Sequence, residues 1–120
     1  MIRILTVDDS PSMREMVRIA LTGAGFDVMQ ASDGAQALEL ARASAYDLVL
    51  SDVHMPNMDG IALIRALRAE SAYKHTPILM LTTEGSSDRK REGKEAGATG
   101  WIVKPFDPAQ LIATMHRVLR

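Results

Sequence analysis

The sequence contains no cysteine and no long hydrophobic run. Without cysteine, the chain can form neither a disulfide bond nor a cysteine-based zinc site. No apolar run approaches the roughly 20 residues that a membrane-spanning helix needs. The apolar stretch at Met1–Val7 is too short for a secretory signal peptide and has Arg3 inside it. We therefore expect a cytoplasmic protein that has no membrane partner.

The sequence also has no large excess of charge of one sign. Its 14 Lys and Arg residues nearly balance its 15 Asp and Glu residues, and the formal net charge is −1. Nucleic-acid-binding domains usually carry a strong basic excess, so the charge balance predicts no DNA partner. Of the 120 residues, 47% are hydrophobic and 24% are charged, which is the ordinary balance of a globular protein. This length is enough to bury one core, and residues 1–120 are predicted to form a single domain.

Short apolar runs alternate with helical patterns along the whole chain. Several of these runs are continuously apolar, which is typical of strands that are buried on both faces of a sheet. The predicted strands are Ile2–Val7, Val28–Ala31, Leu48–Ser51, Ile78–Thr82 and Trp101–Val103. Five such β–α units predict an α/β fold, with a five-stranded parallel sheet and helices on both of its faces, in the flavodoxin-like arrangement.

Capping residues and apolar spacing predict the helices between these strands. Helices are predicted to begin at Ser10-Pro11, Asp33-Gly34, Gly60 and Asp107-Pro108. The segment Ser86–Ala96 is strongly charged and has almost no apolar stripe. Such a pattern is typical either of a solvated, weakly held helix or of a surface that binds a partner.

Five polar or charged residues follow or close four of the predicted strands. They are Asp8 and Asp9 after the first strand, Asp52 after the third, Thr82 at the end of the fourth and Lys104 after the fifth. The carboxyl ends of parallel strands meet at one edge of the sheet, and ligands bind there. Two unit charges 4 Å apart interact by roughly 4 kcal/mol at an effective dielectric of about 20, so clustered carboxylates require either a cation or a raised pKa. Mg²⁺ prefers oxygen ligands and fits best, while Lys104 suits an anionic ligand.

A simpler interpretation of these acidic residues is helix capping. One aspartate after a strand is more often the N-cap of the next helix than a ligand. Three acids, one lysine and one threonine at the ends of four strands are harder to explain as caps. We therefore predict a site for Mg²⁺ and a phosphate-like anion at this edge of the sheet.

Four short motifs contain these residues and have a recognisable order and spacing. They are Val7-Asp8-Asp9-Ser10, then Asp52-Val53-His54-Met55-Pro56 with Asp59-Gly60, then Leu81-Thr82, and last Val103-Lys104-Pro105-Phe106. Each motif is weak alone, but together they resemble the receiver domains of bacterial two-component response regulators, and especially the single-domain regulators of chemotaxis. The resemblance extends from Met1 to Arg120.

The resemblance implies a role for each residue at the strand ends. Asp52 would accept a phosphoryl group from a histidine kinase and form an acyl phosphate. Asp8, Asp9, Asp52 and the backbone carbonyl of His54 would hold Mg²⁺, whereas the side chain of His54 is not expected to be a ligand. Lys104 would pair with the oxygens of the transferred phosphoryl group.

The resemblance also implies a conformational switch. The hydroxyl of Thr82 would bond a phosphoryl oxygen after transfer, and the aromatic residue of the fifth strand, usually Tyr or Phe and here Trp101, would move inward. A tryptophan that is simply half-buried at the surface is the alternative interpretation. The Lys104-Pro105 bond is expected to be cis, and His54 and Glu84 are expected to border the phosphoryl group.

A protein of this kind would be a monomeric phosphoacceptor switch and not a turnover enzyme, because it would catalyse only its own phosphorylation and dephosphorylation. Its implied partners are a histidine kinase and a downstream target, such as a flagellar motor switch component in chemotaxis. A phosphorelay intermediate and a receiver domain excised from a longer regulator stay open as alternatives. A haloacid-dehalogenase-like phosphatase fits less well, since it needs Asp-x-Asp after its first strand. A flavodoxin-like electron carrier also fits less well, because Asp8 and Asp9 would repel the phosphate of its cofactor.

Overall fold

In the computed structural model, which describes residues 1–83 and 87–119, strands and helices alternate along the chain. The strands are β1 (Arg3–Val7), β2 (Asp27–Ala31), β3 (Leu48–Asp52), β4 (Ile78–Thr82) and β5 (Gly100–Val103). The helices are α1 (Pro11–Gly23), α2 (Gly34–Ala43), α3 (Gly60–Ala69), α4 (Ser87–Ala96) and α5 (Pro108–Val118), and a short 3-10 helix spans Ser71–Tyr73. The predicted strands agree with these within one residue at each end.

The strands form one parallel sheet in the order β2-β1-β3-β4-β5. From β1 the chain first adds β2 on one side and then crosses to β3 on the other side. The reversal lies between β1 and β3, and it leaves a crevice at their carboxyl ends, where ligands bind in sheets of this kind. The predicted five-stranded parallel sheet is therefore confirmed.

Helices cover both faces of the sheet, as predicted. One core cluster joins the sheet to α2 and α3, and the other joins it to α1 and α5. Successive strand residues enter opposite clusters: in β4, Ile78 and Met80 pack with α2 and α3, while Leu79 and Leu81 pack with α1 and α5. Burial on both sides explains why this run is continuously apolar.

Side-chain caps hold the starts of α1 and α2. Ser10 Oγ accepts a hydrogen bond from the Met13 amide at 3.3 Å, and Asp33 Oδ1 accepts one from the Gln36 amide at 2.8 Å. Asp107 stands at the N-cap of α5, but its side chain makes no capping hydrogen bond, so the predicted side-chain cap is wrong there. The helix start is instead held by the Asp107 carbonyl, which accepts from the Leu111 amide at 2.9 Å, and by Pro108 in the first turn.

The charged segment Ser86–Ala96 is helical from Ser87 within the described residues, and of the side chains described from Asp88 to Ala96 only that of Ala96 belongs to a core cluster. Among the described residues, no helix is long and apolar enough to cross a membrane.

The start of α3 is pressed against the end of β3. The amide of Gly60 donates to the Val53 carbonyl at 2.8 Å. A Cβ atom at position 60 would lie 2.2 Å from the carbonyl oxygen of Asp52 and 3.0 Å from Cα of Val53. Because both neighbours are backbone atoms, a larger side chain can be accommodated only if the strand or the helix moves.

We predict that Gly60→Ala lowers the free energy of unfolding by about 1–3 kcal/mol, the usual cost of overpacking. Gly23→Ala is the matched control, because a Cβ atom there meets nothing within 4 Å. That variant should be neutral or gain up to about 1 kcal/mol from the lower entropy of the unfolded chain. Urea unfolding of both variants checks the prediction, and equal midpoints would contradict it.

Candidate functional site

Three carboxylates meet at the crevice between β1 and β3. Asp8 follows β1 and is 3% exposed, Asp52 ends β3 and is 6% exposed, and Asp9 is exposed to solvent. One oxygen from each of the three lies within 4.8 Å of the others. The juxtaposition predicted from the strand ends is therefore present in the fold.

Lys104 lies between the two buried acids. Its Nζ atom is 3.3 Å from Asp8 Oδ2 and 3.2 Å from Asp52 Oδ1. The sequence predicted a lysine for an anionic ligand but not this bridge between two aspartates. The Lys104-Pro105 peptide bond is cis, as the resemblance implied.

The position of Asp8 is fixed by its neighbours on three sides. Its amide donates to the Ala31 carbonyl at 3.1 Å, and its Oδ1 atom accepts from the Ser10 amide at 2.9 Å. Nη1 of Arg14 donates to the Asp8 backbone carbonyl at 2.7 Å. Sequence reasoning assigned no role to Arg14, and nothing in its spacing distinguishes it from other polar positions of the helix.

The second carboxylate oxygen of Asp8 is the clearest sign that a cation fits the site. Asp8 Oδ2 is buried and has no hydrogen-bond donor, although Lys104 lies within ion-pair distance. Buried oxygens of this kind are rarely left without a donor in folded proteins. Three carboxylates, one of which has this unsatisfied oxygen, make a donor set of the hard, all-oxygen type that Mg²⁺ prefers.

The electrostatic environment of Asp52 favours its protonated form. Burial raises the pKa of Asp52, and the charge of Asp8 raises it further. Lys104 and the amide of Val53, which donates to Asp52 Oδ1 at 2.8 Å, oppose the shift without cancelling it. A cation at the site would stabilise the ionised carboxylate and so offset the cost of burying it.

The loop after β3 is fixed by hydrogen bonds to the start of α2. Asn57 adopts a left-handed conformation with φ of 68°, and its Nδ2 donates to Asp33 Oδ2 at 2.9 Å. The amide of Gly34 donates to the Met58 carbonyl at 3.2 Å. The His54 side chain is exposed and lies outside the acidic cluster found among the described residues, and the role of its carbonyl stays a prediction.

The proposed switch residues lie on β4 and β5. Thr82 is buried at the end of β4, and its carbonyl accepts from the Lys104 amide at 2.6 Å. Trp101 faces solvent with 39% of its surface exposed, and Nζ of Lys90 is 4.9 Å from the centre of its ring. Glu84, which was expected to border the phosphoryl group, lies outside the described residues.

We predict that Asp52→Asn raises the thermal unfolding midpoint at neutral pH when divalent cations are chelated. Because the pKa of Asp52 is raised in the folded state, the folded protein binds this proton more tightly than the unfolded chain does, and stability falls as the pH rises through that range. The advantage of the variant should shrink as the pH is lowered and Asp52 becomes protonated. Asp107→Asn, at an exposed position, is the control, and a less stable Asp52→Asn at neutral pH would contradict the prediction.

Comparisons with known proteins agree with this geometry. The family model for the response regulator receiver domain matches residues 4–116. Chemotaxis protein CheY4 of Vibrio cholerae is 52% identical, with a TM-score of 0.95, and the match covers 98% of both chains. The receiver domain of a sensor histidine kinase from Pseudomonas aeruginosa PAO1, solved with a magnesium ion in its active-site cleft, is 30% identical, with a TM-score of 0.92 over 98% of this chain and 96% of that one.

The comparisons also correct one prediction. The DNA-binding response regulator MtrA of Mycolicibacterium smegmatis is 45% identical over 118 residues, which are 98% of this chain and 50% of that protein. The chain thus spans about half the length of the curated relatives it matches. The expectation of no DNA partner is wrong for this family. The net charge of this chain corresponds only to the matching half of MtrA, so it gives no information about DNA binding by the rest of such a regulator. On the family model and these matches, the chain belongs to the response regulator receiver domains of two-component systems.

Proposed function

We propose that this receiver domain is a Mg²⁺-dependent phosphoacceptor switch, with Asp52 as the acceptor of a phosphoryl group from a histidine kinase. The observation that carries the proposal is the meeting of three carboxylates and Lys104 at the carboxyl edge of the sheet. A cytoplasmic location and a single domain over residues 1–120 belong to the same proposal.

In the proposed transfer, Asp52 is the nucleophile. A carboxylate oxygen forms a bond to phosphorus while the bond from phosphorus to the kinase histidine nitrogen breaks. The electron pair of that bond stays on the imidazole, which takes a proton from solvent. Asp52 forms part of a rigid strand end, so positioning and charge neutralisation supply most of what phosphoryl transfer needs.

The other residues of the site stabilise the transferred group. Lys104, which pairs with Asp8 and Asp52 before transfer, would turn its ammonium group to the phosphoryl oxygens. Thr82, at the end of β4, would donate its hydroxyl to one of them. Asp8, Asp9, Asp52 and the His54 carbonyl would hold Mg²⁺, and the bound ion would neutralise the negative charge gathered there.

The protein would act by changing its affinity for a partner and would catalyse no reaction beyond its own phosphorylation and dephosphorylation. The similarity to CheY4 supports a role in chemotaxis. The similarity to MtrA supports a second candidate, control of a DNA-binding regulator by its receiver domain. A phosphorelay intermediate would use the same acceptor, and a transfer assay with purified phosphotransfer proteins distinguishes it.

We predict that wild type, incubated with Mg²⁺ and acetyl phosphate, gains the mass of one phosphoryl group, and that Asp52→Asn does not. Asp107→Asn is the matched control, because Asp107 is exposed and makes no capping hydrogen bond, and it should behave as wild type does. Chelation of Mg²⁺ should abolish the gain in wild type and in Asp107→Asn. Intact-mass spectrometry is the measurement, and phosphorylation of Asp52→Asn at the wild-type level would refute the proposal.

We predict that phosphorylation shifts the fluorescence of Trp101, the only tryptophan, to shorter wavelength, because its exposed ring becomes more buried. Thr82→Ala should still be phosphorylated but should lose most of this shift. An unchanged spectrum in fully phosphorylated wild type would instead support a static surface tryptophan, the alternative raised by its sequence position.

A further inference from the structure

Arg14, near the start of α1, contacts the acidic site, and the proposed function assigns it no role. Nη1 of Arg14 donates to the backbone carbonyl of Asp8 at 2.7 Å, across the turn that joins β1 to α1. The backbone of Arg14 is itself anchored, because its amide donates to the Ser10 carbonyl at 3.0 Å and its carbonyl accepts from Gln30 Nε2 at 3.0 Å. The backbone from which the Arg14 side chain extends is therefore held in place by hydrogen bonds.

The contact completes the fixation of Asp8. With its amide bonded to Ala31, Oδ1 bonded to the Ser10 amide and its carbonyl bonded to Arg14, the residue has little freedom to rotate. The remaining oxygen, Oδ2, is the buried one that has no hydrogen-bond donor. The direction in which Oδ2 points thus depends on the three bonds made by the rest of the residue.

The charge of Arg14 is not used in an ion pair within the described part of the chain. The ion pairs there involve Lys104 and other arginines. Arg18, one turn further along α1, pairs with Glu15, whereas no acidic side chain pairs with the half-buried Arg14. An arginine whose hydrogen bond goes to a backbone carbonyl beside an acidic site fixes geometry more than it neutralises charge.

We propose that Arg14 is a positioning residue for the cation site: through the Asp8 carbonyl it holds the Asp8 carboxylate with Oδ2 directed at the cation. The inference rests on the proposed Mg²⁺ site. Partners that orient the groups around a metal typically contribute about 10- to 100-fold to its affinity.

Geometry and charge predict effects of opposite sign, and this makes the proposal testable. Arg14 brings a positive charge close to a site for a dication, so removing the charge alone would tighten Mg²⁺ binding. Losing the position of Asp8 would weaken it. A purely structural role on α1 would lower the free energy of unfolding and leave the affinity of the folded protein unchanged.

The experiment titrates wild type, Arg14→Met, Arg14→Lys and Arg18→Met with Mg²⁺. Backbone amide chemical shifts measure the binding. Methionine keeps an unbranched side chain that suits a helix but has no donor, while lysine keeps the charge and an ammonium group that can donate. Arg18→Met removes one charge from the same helix without a contact to Asp8. In the metal-free state the Ser10 amide reports directly on the Asp8 carboxylate, because it donates to Oδ1.

We expect Arg14→Met to weaken Mg²⁺ binding by about tenfold and to shift the metal-free Ser10 amide signal. Arg14→Lys should recover part of the affinity, and Arg18→Met should bind as tightly as wild type or slightly more tightly. Thermal unfolding establishes that each variant is folded at the titration temperature. Equal or tighter binding by folded Arg14→Met would overturn the inference while leaving the proposed function intact, whereas absence of Mg²⁺ binding by wild type would overturn both.

Discussion

The repulsion among three carboxylates at one edge of the sheet is the constraint around which the site is arranged. Asp8 and Asp52 are buried, so solvent and salt screen their charges poorly. Lys104 compensates for part of this, because its ammonium group lies between them at 3.3 and 3.2 Å. One ammonium does not neutralise three acids, and burial together with the charge of Asp8 keeps the pKa of Asp52 raised. The edge is therefore suited to a cation of higher charge.

This concentration of charge depends on the topology of the sheet. Asp8 and Asp52 are far apart in sequence but become neighbours because β1 and β3 pair directly, with Val7 opposite Ser51. Close backbone packing then fixes their geometry: Gly60 lies against Asp52, while Ser10 and Arg14 hold Asp8. Apolar burial thus assembles the sheet, and hydrogen bonds in the loops set the direction of each acidic side chain.

Much of the fold was predictable because its signals are strong and local. A run such as Ile78–Thr82 is apolar at nearly every position only where both faces are covered, and parallel order then brings the strand-end acids together. The bridge made by Lys104 was not predictable, since its direction depends on charges from two other strands. Asn57 gives only the weak signal that asparagine tolerates a left-handed conformation. Arg14 and Arg18 look alike in sequence, and only the coordinates show that one of them contacts the site.

The strand that leads to Lys104 lies at the edge of the sheet. β5 is hydrogen-bonded to β4 on one side only, so moving it sideways disrupts a single ladder, whereas moving β3 would disrupt two. The same four-residue strand contains the exposed Trp101. A displacement of Lys104 would therefore act on an edge strand of the sheet, and the exposed ring of Trp101 on that strand would move with it. The strand thus connects Lys104 at the acidic site to an aromatic side chain that is exposed to solvent.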